Sequence, residues 1–435
     1  MNPYRDYLSE SSLKEVERFI DHQWLKTVRV QHEDKDTLLG LPFPYTIPCA
    51  KDAFQELYYW DTYFTCLGLI HSGKKELAFG NAKNLLHQVN RFGYVPNGNR
   101  TYYKTRSQPP YLAPLVELLS REKEYAEFNR ECLPILKQEY LFWTIERATC
   151  TGLSRYAHQA TPKELLAFAP EISARINMKG DKEPELLRFE HAMAECESGH
   201  DFSPRFENRC MDFCPVDLNS LLYYYECFFS KYDSPCKELY WQKKAANRKK
   251  IIFELCWNEE KGAFFDFDFV NFRQGSIISV ASFQTMWAGL ASKEQALRMV
   301  EEILPQLEFP FGIAASTPPC KSTEYQWEYP NGWAPHQQIV SSALRNYGYP
   351  DIALRIDRKY LTTVVKVFKE TGDLWEKYNI QEGSHHCFNE KGYAMSTFRN
   401  DEGEFIKGKD DHAPAMMGWT AGVYLWALEN HRARL

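Results

Sequence analysis

Apolar residues recur along most of this chain at spacings of three and four, which is the period of an amphipathic helix. In the first such segment, Leu13, Val16, Phe19 and Ile20 share one helical face. Similar spacing predicts further helices over 75–92, 122–145, 214–231, 237–256, 292–304, 336–347, 350–369 and 415–429. One local exception is WNEEKGAFFDFD (257–268), where NEEKG predicts the turn of a short β-hairpin.

The segments between these helices are long and rich in Trp, Tyr, Asn, Gly and Pro. They are 93–111, 197–213, 308–335 and 372–413. Such loops between helices predict a helical scaffold that gathers its functional residues at one end. Although 435 residues could form about three average domains, no linker or composition break divides the chain, so we expect a single domain over 1–435.

Charge and hydropathy exclude several classes of protein. The net charge of −6 gives no electrostatic reason to expect binding to nucleic acid or to an anionic membrane. The first residues lack the apolar core of a signal peptide, and no stretch approaches the roughly 18 apolar residues of a membrane helix. We therefore expect a soluble cytoplasmic protein.

The twelve cysteines are scattered, and several lie in apolar surroundings, such as Cys66 in YFTCLGLI. This distribution predicts reduced thiols in the core. Cys210 and Cys214, followed by Cys227 and Cys236, loosely imitate the spacing of a zinc site. The usual close second pair of ligands is missing, so we expect no metal.

Two aromatic and polar segments could bind a sugar. In ELYYWDTYF (56–64), Trp60 offers a stacking surface beside the acceptor Asp61, although burial in the core explains the aromatic residues equally simply. In GYVPNGNRTYYKTRSQPPYLAPLV (93–116), Arg100, Arg106 and Gln108 provide planar groups with several donors. A solvated loop would tolerate the same residues, so composition alone leaves both interpretations open.

Three further segments carry candidate catalytic groups. In AECESGHDFSPRF (194–206), Glu195, Glu197 and Asp201 crowd together, and neighbouring carboxylates raise the pKa of one of them, as a general acid requires. In LWEKYN (374–379), Glu376 stands among aromatic residues. The segment EYQWEYPNGWAPHQQ (324–338) is another loop of aromatic and amide groups that leads into a helix.

These segments occur in an order that resembles the α,α-trehalase family. The resemblance rests on YYWDTYF, GYVPNGNRTYYKTRSQPP, ESGHDFSPR, CPVDLNSLLYY, QWEYPNGWAP, LWEKYN and GWTAGV, and it covers roughly residues 40–428. It implies an all-α fold, an (α/α)6 toroid whose active site lies in a funnel lined by loops. It also implies an inverting glycoside hydrolase that cleaves a small α-glucoside, with α,α-trehalose the leading substrate.

The resemblance also implies the roles of individual residues. Asp201 matches the family's general acid and Glu376 its general base, and neither a cofactor nor a metal is needed. The expected partner is a small carbohydrate, bound by a monomer or a small homo-oligomer. The positions that match the sugar site are Trp60, Asp61, Asn97, Arg106, Ser107, Gln108, Gly199, Trp327, Trp333 and Asp410.

The chain departs from the family pattern where the leaving group should bind. Ala53 and Thr161 stand where the family usually carries arginines, His200 replaces a tryptophan, and 383–413 replaces a glycine-rich lid. The loss of two guanidinium groups keeps an acidic aglycone open, as in glucosylglycerate or mannosylglycerate. Lys51, Lys163, His200, His385 and His386 are the candidate cations for such an aglycone.

Two classes other than a hydrolase also stay open. A non-catalytic sugar-binding protein could keep this fold, although it would not need both carboxylic residues. An epimerase or lyase on the same toroid would need catalytic histidines, for which the candidates are His200, His336, His385 and His386.

Overall fold

The structure is a computed structural model, and it describes residues 7–50, 53–175, 185–319, 325–387 and 416–434. Helices dominate these ranges. The α-helices are α1 (Glu10–Trp24), α2 (Tyr59–His71), α3 (Lys75–Phe92), α4 (Leu112–Leu119), α5 (Phe128–Glu131), α6 (Leu133–Leu141), α7 (Pro162–Arg175), α8 (Glu185–Glu197), α9 (Val216–Tyr232), α10 (Pro235–Leu255), α11 (Gln284–Trp287), α12 (Lys293–Arg298), α13 (Leu304–Leu307), α14 (Ala334–Asn346), α15 (Pro350–Thr371) and α16 (Gly418–Arg432).

The strands are short and form small antiparallel sheets. The pairs are β1 (Val28–Arg29) with β2 (Tyr45–Thr46), β4 (Trp257–Asn258) with β5 (Ala263–Phe264), β8 (Glu308–Phe309) with β9 (Gly312–Ile313), and β10 (Asn331–Trp333) with β11 (Lys377–Asn379). A three-stranded sheet joins β3 (Phe213–Cys214), β6 (Phe267–Asp268) and β7 (Arg273–Gln274). The pairing of β4 with β5 confirms the hairpin predicted over 257–268.

Most helices predicted from periodicity are present, and α3 has the predicted bounds. The predicted helix 122–145 is divided, because Pro134 lacks the amide hydrogen that a continuing helix needs and instead lies in the first turn of α6. The spacing analysis missed α2, α4, α7, α8 and α11. Helix α8 is buried over most of its length from Phe189 to Glu197, so it has no polar face to alternate with an apolar one.

The helices form a ring of pairs around a common core. Helices α2, α14 and α16 are buried on nearly every side, whereas α3 and α15 are amphipathic. Helix α2 packs on α3, α9 on α10, and α14 on α15, while α16 packs on α2 and thereby closes the ring between the two ends of the chain. A helix that is apolar all round belongs inside, so the buried helices form the inner layer.

None of the helices within the described ranges combines the length and the apolar character needed to cross a membrane.

Candidate active site

A cavity with about 710 Å³ of empty space lies where the long loops meet the ends of the inner helices. This space includes open solvent at the mouth of the cavity, and the part open to a water centre is about 100 Å³. Each of the four predicted loop segments contributes a lining residue: Asn97, Asp201, Trp327 and Glu376 come from the first to the fourth segment in turn. The loops therefore meet at one place, as their composition predicted.

Most of the predicted site residues line this cavity. They are Trp60, Asp61, Asn97, Arg106, Gln108, Gly199, Asp201, Trp327 and Glu376. Two predicted residues do not, because Ser107 and Trp333 are fully buried behind its wall. Asp410 lies outside the described residues, as does most of the segment 383–413.

The first turn of α2 is held in place by the loop that follows α3. The amide N–H of Tyr59 donates to the carbonyl oxygen of Asn97 over 3.1 Å, and that of Trp60 donates to the Gln108 side-chain oxygen over 3.2 Å. These bonds satisfy amide donors that have no partner inside a helix. The same loop therefore lines the cavity and fixes Trp60 and Asp61 within it.

Ser107 has a supporting role in this loop instead of facing the cavity. Its amide donates to Glu197 over 2.9 Å, and its hydroxyl donates to the Val95 carbonyl over 2.6 Å. Glu197 is in turn held by two bonds from the Arg147 guanidinium, at 2.9 and 2.8 Å. The buried ion pair thus anchors the loop that carries Arg106 and Gln108.

Trp333 supports Trp327 from behind. The two indole rings stack with centroids 3.8 Å apart and planes 7° apart, and only Trp327 reaches the cavity. Trp333 ends β10 and pairs with Lys377 of β11, so the register of this ladder places Glu376 beside the stacked rings. The Trp419 indole N–H donates to the Glu376 carbonyl over 3.0 Å and fixes the backbone there.

Asp201 meets a cation that sequence analysis missed. The Arg175 guanidinium lies 2.6 Å from the Asp201 carboxylate, also donates to the Asp201 carbonyl, and reaches the Gln326 side-chain oxygen at 2.8 Å. Arg175 is 6% exposed and lines the cavity at the end of α7. The inference that the reacting centre has lost its guanidinium groups is therefore wrong at this position, because α7 supplies one.

Three of the departures from the family pattern, Ala53, Thr161 and His200, do not line the cavity. Ala53 is buried, and Thr161 is exposed at the start of α7, where its hydroxyl accepts from the Glu164 amide and donates to the Glu164 carboxylate. Thr161 is thus a helix cap. His200 is buried behind Trp60 and Trp327, with ring centroids 5.3 and 4.8 Å from theirs.

The acidic residues of the segment 194–206 have different surroundings. Glu197 is paired with Arg147 and Asp201 with Arg175, whereas Glu195 accepts from the amide and hydroxyl of Ser203. Burial raises the pKa of Glu195 to about 8, and the nearby charge of Asp201 is only a minor cause. The repulsion expected between neighbouring carboxylates is therefore offset by Arg147 and Arg175. Burial, and not that repulsion, is the main cause of the raised pKa of Glu195.

Asp61 is the perturbed carboxyl group inside the cavity. Burial, with a smaller contribution from the charges of Glu376 and Asp201, raises its pKa to about 8. A neutral Asp61 can donate a hydrogen bond as well as accept one. The cavity therefore has three carboxylic side chains on its wall, Asp61, Asp201 and Glu376, and Asp61 is largely protonated at neutral pH.

We expect the free energy of unfolding of Asp61→Asn, relative to that of the wild type, to increase as the pH rises from about 4 to 8. The folded-state pKa of Asp61 lies above its unfolded value of 3.8, so folding favours the protonated form. The wild type therefore loses stability as the pH rises through that window, while the uncharged amide does not. Urea unfolding at pH 5, 6.5 and 8 measures the difference.

The matched control is Asp351→Asn, because the Asp351 side chain is 89% exposed. This variant should show no such trend between pH 5 and 8. A pH-independent difference between Asp61→Asn and the wild type would contradict the raised pKa.

Gly199 allows the chain to pass directly over Trp60. Its φ angle is +73°, and a Cβ atom there would lie 2.9 Å from the Trp60 ring. Glycine is the residue that adopts this φ without a cost in backbone free energy. A side chain at this position would collide with the Trp60 ring.

We expect Gly199→Ala to destabilise the fold by about 1–3 kcal/mol more than Gly93→Ala, which is the usual cost of overpacking. Gly93 also has a positive φ, +88°, but a Cβ atom there would meet nothing closer than 4.0 Å. The control thus carries the backbone strain without the ring clash. Equal losses of stability in urea unfolding would show that Trp60 moves aside freely.

Several lining residues were not predicted: Phe54, Tyr58, Tyr103, Arg175, Cys196, Met417 and Trp419. Trp419 and Tyr58 lie within the quoted sequence blocks, so their aromatic character was a usable signal. Arg175 lies in a helix that the spacing analysis missed. Among the described residues, no three His, Cys, Asp or Glu side chains are grouped as metal ligands.

Comparisons with known proteins agree with this geometry. The trehalase family model matches residues 1–432. The chain is 33% identical over 450 residues to the cytosolic neutral trehalase of Saccharomyces cerevisiae, a match that covers 92% of this chain and 58% of that protein. It is 34% identical over 373 residues to the periplasmic trehalase of Pseudomonas aeruginosa, which covers 79% of this chain and 66% of that protein.

Solved structures show the same architecture. The neutral trehalase Nth1 of Saccharomyces cerevisiae superposes with a TM-score of 0.78 at 26% identity, covering 97% of this chain and 95% of that one. The expected all-α fold, an (α/α)6 toroid, is thereby confirmed. The chain spans less than two thirds of the length of the relatives from Saccharomyces cerevisiae, Kluyveromyces lactis and Pseudomonas aeruginosa. The family model, which matches residues 1–432, shows that this chain belongs to the trehalase family.

Proposed function

We propose that this chain is an inverting glycoside hydrolase that cleaves α,α-trehalose and releases glucose. The observation that carries the proposal is the position of Asp201 and Glu376, which come from distant segments and line one cavity with Trp60, Asp61 and Gln108. Hydrolysis of a glycoside needs a pair of carboxylic residues on either side of the scissile bond. An indole beside carboxyl and amide groups suits the apolar faces and the hydroxyls of a sugar.

In this mechanism Asp201 protonates the glycosidic oxygen while Glu376 removes a proton from water on the opposite face of the sugar. Inversion needs space for that water, so the two carboxyl groups should be about 6.5–9.5 Å apart. The Lys377 ammonium group lies 3.1 Å from the Glu376 carboxylate and holds it in place. Both proton steps belong to the protein, and the proposal needs no cofactor.

Trehalose is favoured over an acidic glycoside because the candidate cations within the described residues, Lys163, His200, His385 and His386, do not line the cavity. Lys163 is exposed on α7, and burial lowers the pKa of His200 to about 4, so His200 is neutral. His385 stacks on Trp375, with centroids 4.6 Å apart, and does not line the cavity. Lys51 lies outside the described residues.

The relatives support the same substrate. Those at 33% and 34% identity are named cytosolic neutral trehalase and periplasmic trehalase. We also propose that the protein acts in the cytoplasm, for which the support is the cytosolic name of the yeast relative and of those from Kluyveromyces lactis and Beauveria bassiana.

A panel of α-glycosides tests the proposal, with trehalose, glucosylglycerate and mannosylglycerate as substrates and glucose or mannose release as the readout. We expect trehalose to be cleaved best, with kcat/KM of about 10⁴ M⁻¹s⁻¹ or more. Proton NMR should first detect the α- and β-anomers of glucose in equal amounts, because the attacked residue is inverted to the β-anomer while the leaving glucose keeps its α configuration. Detection of the α-anomer alone would indicate retention. Binding of trehalose without release of glucose would instead indicate a sugar-binding protein. Preferential cleavage of glucosylglycerate or mannosylglycerate would show that the substrate is an acidic glycoside and not trehalose.

A further inference from the structure

Two histidines form a buried pair directly behind the catalytic cavity. The Nε2 atoms of His200 and His336 are 3.1 Å apart, and the two rings are nearly parallel, with planes 13° apart. Both side chains are more than nine-tenths buried. His200 precedes Asp201 in the chain, and His336 lies in the first turn of α14.

The hydrogen bonds of this pair can run in one direction only. The Nδ1 atom of His200 is 2.9 Å from the carbonyl oxygen of Ser198, which can only accept, so Nδ1 carries the hydrogen. In a neutral imidazole the other nitrogen is then an acceptor. His336 must therefore donate from its Nε2, and its Nδ1 is left as an acceptor.

The surroundings keep both rings neutral. Burial and the nearby Arg205 lower the pKa of His200 to about 4, against a smaller opposing effect of Asp217. Burial, His200 and Arg205 lower the pKa of His336. Arg205 is itself held between Asp217, at 2.8 Å, and Asp266, at 2.8 Å, so the carboxylate nearest the pair is already engaged.

The side chain that carries the remaining acceptor lines a small cavity. His336 Nδ1 is buried and has no hydrogen-bond partner within the described part of the chain, and the same is true of the Gln284 amide nitrogen. Both side chains line one cavity, whose volume open to a water centre is about 10 Å³. That is about the minimum for one water molecule. The Gln284 side-chain oxygen accepts from the Tyr111 hydroxyl over 3.0 Å, which leaves its amide nitrogen as the end without a partner.

We propose that one buried water binds in this cavity, accepts a hydrogen bond from Gln284 Nε2 and donates one to His336 Nδ1. The water completes a directed chain of hydrogen bonds from Tyr111 to Ser198 through both histidines. A donor and an acceptor that are each buried without a partner make such a site favourable, because leaving each unpaired costs about 1–3 kcal/mol.

This chain of hydrogen bonds positions the floor of the catalytic cavity. The His200 ring packs against Trp60 and Trp327, which both line that cavity, and His336 also contacts Trp327, at a centroid distance of 5.3 Å. His200 and His336 are therefore positioning residues for the sugar. This kinetic consequence rests on the proposed hydrolase function, whereas the directed pair and its water do not.

Nitrogen-15 NMR of histidine-labelled protein tests the pair without any assay of activity. The variants His200→Gln and His336→Gln assign the two rings among the twelve histidines. We expect His200 to carry its hydrogen on Nδ1 and His336 to carry its hydrogen on Nε2, both unchanged between pH 7.5 and 5.5. The opposite tautomers, or a protonated ring at pH 6, would overturn the proposal. A water resonance with a nuclear Overhauser contact to the Gln284 amide is expected, and its absence would overturn the bound water.

Kinetics of His336→Leu and His336→Gln test the positioning role. Glutamine keeps an N–H donor close to that of Nε2, and leucine does not. The floor of the cavity, formed by Trp60 and Trp327, contacts the sugar equally in the ground state and in the transition state. Loss of the N–H donor of His336 should therefore raise KM and leave kcat nearly unchanged. We expect KM for trehalose to rise roughly threefold to tenfold in the leucine variant, the equivalent of one ordinary hydrogen bond, with rescue by glutamine.

Equal KM values in all three proteins, with folding confirmed by circular dichroism, would overturn the positioning role. If the wild type hydrolyses no glycoside, the proposed function fails, and the KM arm is replaced by the dissociation constant for trehalose. The NMR experiment then still tests the tautomers of the two histidines and the presence of the bound water.

Discussion

Asp201→Asn is expected to hydrolyse trehalose at least about a hundredfold more slowly than the wild-type chain. General acid catalysis contributes about 10²–10⁴-fold, and an alkoxide leaving group depends strongly on protonation. The amide keeps the shape of the side chain and can still accept from Arg175, which lies 2.6 Å from the carboxylate. Glucose release at substrate saturation, with circular dichroism as the check of folding, measures the loss.

Glu376→Gln is the partner experiment, and a second substrate separates the two roles. Fluoride leaves without a proton, so α-glucosyl fluoride should restore much of the rate of Asp201→Asn. The same substrate should not rescue Glu376→Gln, because water must still be deprotonated. The losses of the two variants should not add, since the two groups act in one transition state.

Near-normal turnover of trehalose by folded Asp201→Asn would remove Asp201 from the mechanism. Glu195 would then be the next candidate, since burial raises its pKa to about 8. Rescue of Glu376→Gln by the fluoride, instead of rescue of Asp201→Asn, would exchange the two roles.

Much of this site could be predicted because its residues lie in contiguous blocks. Trp60 and Asp61 are fixed by local helix geometry, and Gln108 reaches them from a single loop. Trp327 and Trp333 show the limit of such blocks, because both belong to the same aromatic segment. The register of β10 with β11 decides which of the two stacked rings reaches the cavity. A register between distant strands is not visible in either segment alone.

The fold shows a similar division. Helices with one apolar face, such as α3 and α15, were predicted closely, because their spacing records their burial. Helix α8 packs against α7 and is buried over most of its length near the cavity, so the same spacing is absent. Arg175 was missed for a different reason: it lies on α7, a helix that the spacing analysis did not identify, and its role depends on where α7 packs and not on its neighbours in sequence.

Arg175→Leu is expected to lower kcat for trehalose by roughly ten- to a hundredfold, because hydrogen bonds to charged groups are worth about 1.5–3 kcal/mol each. The guanidinium joins Asp201, through its carboxylate and carbonyl, to Gln326. One planar group thereby orients the acid and the segment that carries Trp327, whose amide donates to the Phe202 carbonyl over 2.9 Å.

Arg175→Lys should recover only part of the loss, since an ammonium group is a point charge and cannot bridge the same set of acceptors in one plane. The matched control is Arg248→Lys. Arg248 is also 6% exposed and pairs with Glu226 over 2.9 Å, but it does not line the cavity. The control should lose stability and keep its kcat, so the pair of lysine variants separates a buried charge from a charge that positions the acid. Equal kcat values for Arg175→Leu and the wild type would show that Asp201 is held in its working position without the guanidinium.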